Sequence, residues 1–213
     1  MSDMGAKTDT ITYDSAEKQE HRELHSLQAY VSDLMALERH IEQPLAAQRE
    51  SETVAQHPLA AALIERIARQ NRAHIDALEM TLKRLGGHPT APLKSTWMTL
   101  LGSAASVIGG TRKTKVTKWL RDDDTALNLA AFSYTLLHAT AIGLGDEGVA
   151  ALARAGVADY ARSVMEINQV VPIVVLRELA EEGNMVAAGA ADTIRDQMNA
   201  IWRDEAGVTK RAL

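Results

Sequence analysis

Cysteine is absent from this chain, which excludes disulfides, thiolate nucleophiles and thiolate metal sites. Aromatic residues make up 4% of it and proline occurs only five times, whereas alanine and leucine are plentiful. Strands draw on aromatic and β-branched residues, so this balance predicts an all-helical fold. No apolar run approaches the roughly 20 residues that cross a bilayer. The opening stretch "MSDMGAKTDTITYDSAEKQEHRE" has no apolar segment of the kind a signal peptide needs, so a cytoplasmic location is expected. A net charge of −5 supplies no field that would draw in nucleic acid. No serine–histidine–aspartate signature, nucleotide-binding loop or catalytic carboxyl pair stands out. No catalytic residue is therefore assigned, and whether the chain is an enzyme is left open.

What is present is ordinary globular material, 46% hydrophobic and 24% charged over 213 residues, enough for one good core. Residues 1–20 form a polar arm expected to be flexible. Within it, Asp14 is placed to cap a helix, with Glu17 three residues on. The first helix runs to about Glu50, and "SETVAQHP" makes a turn. Pro58 suits the first position of a second helix, which ends at "LKRLGG", where Gly86 can take the left-handed conformation. A crossover over 88–122 follows, containing the apolar "STWMTLLGSAASVIGG" and the basic "TRKTKVTKWLR". A third helix opens at "DDDTALNLAAF", its acidic residues suited to the positive end of a helix dipole. It runs to a stop at Gly156 or breaks earlier, at "GLGD". The fourth helix is "VADYARSVMEINQVVPIVVLRELAEEG". Residues 186–213 hold a short helix, "AADTIRDQMNAIWRDE", and a polar tail. Short, long, short connections between four helices describe a bundle with one crossover, spanning 21–185.

Each of the four helices carries a polar residue on its apolar stripe. The first runs Leu27, Val31, Leu34, Glu38, Ile41, Leu45. The second runs Ala60, Ile64, Ile67, Asn71, His74, Leu78, Leu82, Leu85. The third runs Leu127, Ala131, Tyr134, His138, Ala141, and the fourth Val157, Ala161, Val164, Asn168, Val171, Val175, Leu179. These polar residues sit near the helix midpoints, which lie at similar heights in a bundle of similar-length helices. Glu38 is thereby expected to face Asn71, His74, His138 and Asn168. A buried carboxyl group needs such company.

Two segments extend this reading. "NRAHIDALEMTLKRLGGHP" resembles the second helix of rubrerythrin-type ferritin-like proteins, and "DDDTALNLAAFSYTLLHATAIGLG" followed by "MEINQVVPIVVLREL" resembles the YciE/YciF branch of that superfamily. The resemblance covers roughly residues 24–182. It implies a ferritin-like bundle, and in such bundles two metals are held by a Glu from each of two helices and a Glu-x-x-His from each of the other two. This chain departs from that pattern. Asn71 stands where one Glu would be, Asn168 and Val171 occupy the last Glu-x-x-His, and His138 lies near the third helix's Glu. Glu38 and His74 keep the expected types.

Two asparagines in place of bridging carboxylates argue against a two-metal centre. Two readings remain, beside a shifted helix register that would leave Glu38 or His138 on a solvated face. In one, Glu38, His74 and His138 hold a single Fe, Mn or Zn ion, with Asn71 and Asn168 in support. In the other, no cofactor is expected and the same residues form a hydrogen-bonded network. The resemblance links the chain with stress responses. The function expected from it is a bundle that has lost its di-iron chemistry and acts through association as a homo-oligomer, a dimer, with a further protein partner left open. The alternative is a metalloprotein doing redox or metal-handling work. Two surfaces add detail. Trp97, Leu100, Leu101, Val107 and Ile108, with Ile201 and Trp202, form an apolar excess suited either to covering an end of the core or to a dimer contact. Arg112, Lys113, Lys115, Lys118 and Arg121 form a basic cluster that the following "RDDD" is expected to neutralise. His40, His57 and His88 are expected at the surface, and Glu166 at the rim of the core.

Overall fold

The computed structural model describes the backbone of residues 6–88 and 115–212 and the side chains of residues 18–88 and 115–203. Its described residues are helical, with no strand among them: α1 Ala6–Arg49, α2 Glu52–Ala55, α3 Pro58–Arg84, α4 Val116–Gly143, α5 Glu147–Glu181 and α6 Ala190–Ala212. The all-α expectation holds. The apolar crossover piece with Trp97, Leu100, Leu101, Val107 and Ile108, and the basic residues Arg112 and Lys113, lie outside the described residues.

The helix ends follow local chemistry. Pro58 is the first residue of α3, where its missing N–H costs nothing. Gly86, at φ 76°, closes α3: its N–H donates to Lys83 O at 3.0 Å, and Gly87 N–H to Leu82 O at 2.9 Å. Gln28 Nε2 adds a 2.5 Å bond to Leu85 O, so a side chain from α1 satisfies another orphaned carbonyl. The "GLGD" break is real. Gly145, at φ 75°, ends α4 through its bond to Ile142 O, and Asp146 N–H reaches back to Ala141 O, a paired closure that left-handed glycine permits. The Asp146 side chain then caps α5 by accepting from Val149 N–H at 2.8 Å.

Four boundaries differ from expectation. α5 starts at Glu147, ahead of the Val157 start expected for the fourth helix. α1 starts at Ala6, ahead of Asp14, so part of the expected arm is helical. α4 starts at Val116 rather than at the acidic run. Its first turn is capped by Glu178, which accepts from Thr117 N–H at 3.1 Å and Thr117 Oγ1 at 2.6 Å. The helix dipole is therefore answered from α5, and the DDD segment lies inside the helix. α6 extends through the expected tail to Ala212.

The chain divides into two compact units. The first contains residues 1–40, 71–109 and 130–158. Its core joins Leu27, Val31, Leu34 and Met35 of α1 to Ile75, Leu78 and Leu82 of α3, Tyr134 and Leu137 of α4, and Val149 and Ala153 of α5. The second contains residues 41–70, 110–129 and 159–213. Its core joins Ile41 and Leu45 to Ile64, Ile67, Leu120, Leu127, Tyr160, Ile167 and Val174. In both, apolar residues recur at helical spacing and remove one face of each helix from water, the principal favourable term in folding.

The stripes of α1 and α3 lie where the periodicity puts them. That of α5 does not, and that of α4 does so in part, with Leu127, Tyr134 and Ala141 buried as expected. In α5 the buried positions are Val149, Ala150, Ala153, Gly156, Tyr160, Ser163, Ile167, Pro172, Val174 and Glu178; Tyr160 is fully buried, whereas Val157, Val164 and Asn168 sit at the flank. The expected stripe is thus displaced by one residue. In α4, Ala130 and Leu137 are buried, while Ala131 and His138 are only partly so. Both helices offer neighbouring apolar residues that give two stripes of nearly equal hydrophobicity. In α4 the inward register hides Leu137 in place of His138; in α5 it hides Tyr160 and Ile167 together with Gly156, Ser163 and Glu178, so apolar area alone does not select it.

Candidate functional site

Glu38 is fully buried in the first unit, and the structure shows what it faces. Asn71 Nδ2 donates to Glu38 Oε2 at 2.6 Å and to the Glu38 backbone carbonyl at 3.0 Å. Tyr134 Oη donates to Glu38 Oε1 at 2.8 Å. His74 Nδ1 lies 3.2 Å from the same oxygen and donates to it in the tautomer that carries the Nδ1 proton. The His74 and Tyr134 rings meet edge-on, 5.4 Å between centroids with planes inclined by 68°, the geometry aromatic rings prefer. Two helices, α3 and α4, thus bring donors to one carboxyl group of α1, and both of its oxygens are engaged.

Helical spacing explains the convergence. Asn71 and His74 are three residues apart on α3, so both project over one turn. Tyr134 is admitted by Gly156 of α5: a Cβ at that position would come within 2.5 Å of the Tyr134 ring. The glycine read as a helix stop is instead a seat for the tyrosine inside a continuous helix.

His138 takes another direction. Its Nδ1 lies 2.9 Å from the Ala150 carbonyl, so it ties α4 to α5 within the same unit. Asn168 belongs to the second unit, and its amide donates to Val164 O, one turn earlier on its own helix, at 2.9 Å. Of the five residues expected around a centre, the structure brings Glu38, Asn71 and His74 together, and gives His138 and Asn168 separate bonds. The displaced stripes of α4 and α5 are the reason. Tyr134 joins instead. It stood on the expected third-helix stripe as an apolar member, and its phenol, which needs a partner when buried, was the signal that could have marked it.

These residues do not fit a di-metal centre. Asn71 cannot bridge two cations as a carboxylate does, and Glu38 already accepts protein donors at both oxygens. Among the described residues, no three His, Asp or Glu side chains are grouped so as to hold a metal ion. One polar atom in the cluster is left over: Asn71 Oδ1 is buried with no hydrogen-bond partner.

A second buried carboxyl group lies in the other unit. Asp123 of α4 accepts from Gln48 Nε2 of α1 at 2.8 Å, and both residues are buried. Burial, opposed by that hydrogen bond and reinforced by the neighbouring Asp122, pushes the Asp123 carboxyl up to about 7. Composition offered no hint of this group, because it sits in what reads as a solvated acidic run.

Elsewhere polar groups pair at the surface. Arg66 pairs with Glu166 at the rim, Lys115 with Glu182 at 2.6 Å, and Arg121 with Asp122 at 2.7 Å, so two members of the basic cluster are neutralised within the chain. Lys118 is exposed, as are His40 and His88. His57 is buried, contrary to expectation: the short α2, capped by Ser51, folds the turn inward. Ile201 and Trp202 are half exposed. Among the described residues, no helix is long and apolar enough to cross a membrane.

No protein-family model matches the chain, and none of the curated proteins compared with it does. A crystal structure of a protein from Xanthomonas campestris pv. campestris str. ATCC 33913 is similar to it, with a TM-score of 0.61 and 18% identity over 76% of this chain and 99% of that one. At that identity the similarity concerns the fold alone.

Proposed function

We propose that this chain is a ferritin-like helical protein whose di-metal chemistry has been replaced by a hydrogen-bonded polar centre, and that it works through association, as a homodimer, rather than catalysis. The observation that carries this reading is the pairing of both Glu38 oxygens with Asn71, Tyr134 and His74. A network of that kind holds a helix register without an ion. The resemblance to the YciE/YciF group supports the fold-family assignment and a stress-associated role. Association is supported by the outer side of α4, where Phe132 and Ile142 are exposed and no charged residue occurs from Ala126 to Gly143. A solvated helix face ordinarily carries charge.

A second reading, a mononuclear metal site doing redox or metal-handling work, draws on the Glu38–His74 contact and the unpartnered Asn71 Oδ1. Two measurements separate the readings. Metal analysis of protein purified without chelator or affinity tag is expected to find no stoichiometric ion. Sedimentation over a range of concentrations is expected to show a dimer that Phe132→Glu weakens. Near-stoichiometric Fe, Mn or Zn that His74→Ala removes would replace the first reading by the second. A monomer at every concentration would remove association from it.

A further inference from the structure

The Gln48–Asp123 contact uses half of each side chain. Gln48 Nε2 donates to Asp123 Oδ1 at 2.8 Å, while Gln48 Oε1 and Asp123 Oδ2 are both buried without a hydrogen-bond partner. Both leftovers are acceptors when Asp123 is ionised, and neither can satisfy the other. Two orphaned acceptors in one buried pair are costly. A single hydrogen resolves both, because a protonated carboxyl group is a donor at one oxygen and an acceptor at the other. It then matches a primary amide edge to edge, with N–H to O on one side and O–H to O on the other.

We propose that Gln48 and Asp123 form a proton-gated clamp between α1 and α4 of the second unit, closed by two hydrogen bonds when Asp123 Oδ2 carries a proton and reduced to one when it does not. The surroundings favour the proton. No Lys, Arg or His pairs with Asp123 among the described residues, and Asp122 beside it on α4 is another acid that raises its proton affinity. Charged groups on the helices of this unit have other partners: Arg49 of α1 with Glu65 of α3, Arg66 of α3 with Glu166 of α5, Glu178 of α5 with Thr117 at the start of α4, and Asp124 of α4 with Asn128. Buried His57, in the α2–α3 turn, is the remaining histidine of this unit outside the surface. Burial of Asp123 places its titration at about 7, so the clamp would open and close near neutral pH. Above that range a buried charge and an orphaned amide oxygen remain between the two helices. Below it both are answered.

The test uses the full chain. The side-chain carboxyl carbon of Asp123, followed by NMR from pH 4 to 9, is expected to titrate near neutrality rather than near the ordinary aspartate value. Asp123→Asn supplies an amide N–H where the proton would sit and so mimics the closed state at every pH. The wild-type unfolding constant, relative to that of the variant, is expected to rise with pH by up to about tenfold per unit between pH 5 and 7. An Asp123 midpoint near 4 would overturn the clamp. So would a gap between wild type and variant that stays constant with pH, or one that depends on added Na⁺, K⁺ or Mg²⁺ instead, since a cation bound by the two oxygens would then be the missing partner. The NMR titration needs no variant, so the proposal remains testable if Asp123→Asn does not fold.

Discussion

Glu38 and Asp123 are both acids withdrawn from water, one in each unit, and they differ in how many donors they meet. Glu38 receives Asn71, Tyr134 and His74 from two neighbouring helices. Among the described residues, Asp123 receives a hydrogen bond from Gln48 alone. The comparison shows that two buried acids can be given very different numbers of hydrogen-bond donors. Each N–H or O–H group aimed at such an acid replaces part of the hydration that folding removes. One centre is built to hold an acceptor. The other is one hydrogen short.

Breaking the richer centre is expected to have the largest effect. Glu38→Ala leaves the Tyr134 hydroxyl without its acceptor, reduces the Asn71 amide to its bond with the backbone carbonyl of residue 38, and opens a cavity. A loss of about 3–5 kcal/mol is expected, read by denaturant unfolding. The charge-neutral exchanges sharpen the contrast because they should differ in sign. Glu38→Gln turns an amide N–H₂ toward groups that are themselves donors and is expected to destabilise by about 1–3 kcal/mol. Asp123→Asn supplies the hydrogen its pair lacks and is expected to stabilise at pH 8, where the wild-type carboxyl is mostly ionised. The sign follows from linkage: a carboxyl whose folded value is raised from 3.8 to about 7 contributes stability that is complete below the unfolded value and is lost as pH rises toward 7. Equal signs for the two exchanges would erase the distinction.

Gly156→Ala tests the seat of Tyr134. With its Cβ 2.5 Å from ring carbons, either the ring or α5 must shift, for an expected loss of about 1–3 kcal/mol and a weakened Tyr134–Glu38 bond. Tyr134→Phe removes that bond alone and is expected to cost about 1–2 kcal/mol. If Gly156→Ala and Tyr134→Phe act on the same contact, the double variant should lose less than the sum of the two. The smallest effect is expected at Gly145, whose positive φ an alanine can adopt at a cost of about 1 kcal/mol, visible as a lower melting temperature.

Much of this was legible in residue order. Glu38 interrupts a stripe with one apolar face, so its burial could be read directly, and Asn71 and His74 follow from their three-residue spacing on the next helix. Pro58, Gly86 and the "GLGD" break mark helix ends by backbone chemistry that acts within a few residues. His138 and Asn168 were misplaced for the opposite reason. "TLLHATA" and "INQVVPIVV" present adjacent apolar residues, and a rotation of one residue exchanges Leu137 for His138, or Ile167 for Asn168, while apolar neighbours remain on either side. Tyr134 and Gly156 form a pair separated by 22 positions, a relation that exists only once α4 and α5 are packed.

Composition and periodicity by themselves determined that the chain is helical, where most helices turn or end, and that one acid in α1 must be enclosed. These depend on interactions reaching no further than a turn or two along the chain. Which donors enclose it, which stripe of α4 and α5 faces inward, and that Asp123 is hidden within an acidic run were decided only by tertiary packing. Burial and hydrogen-bond partnership are properties of several helices at once, and no single segment carries them.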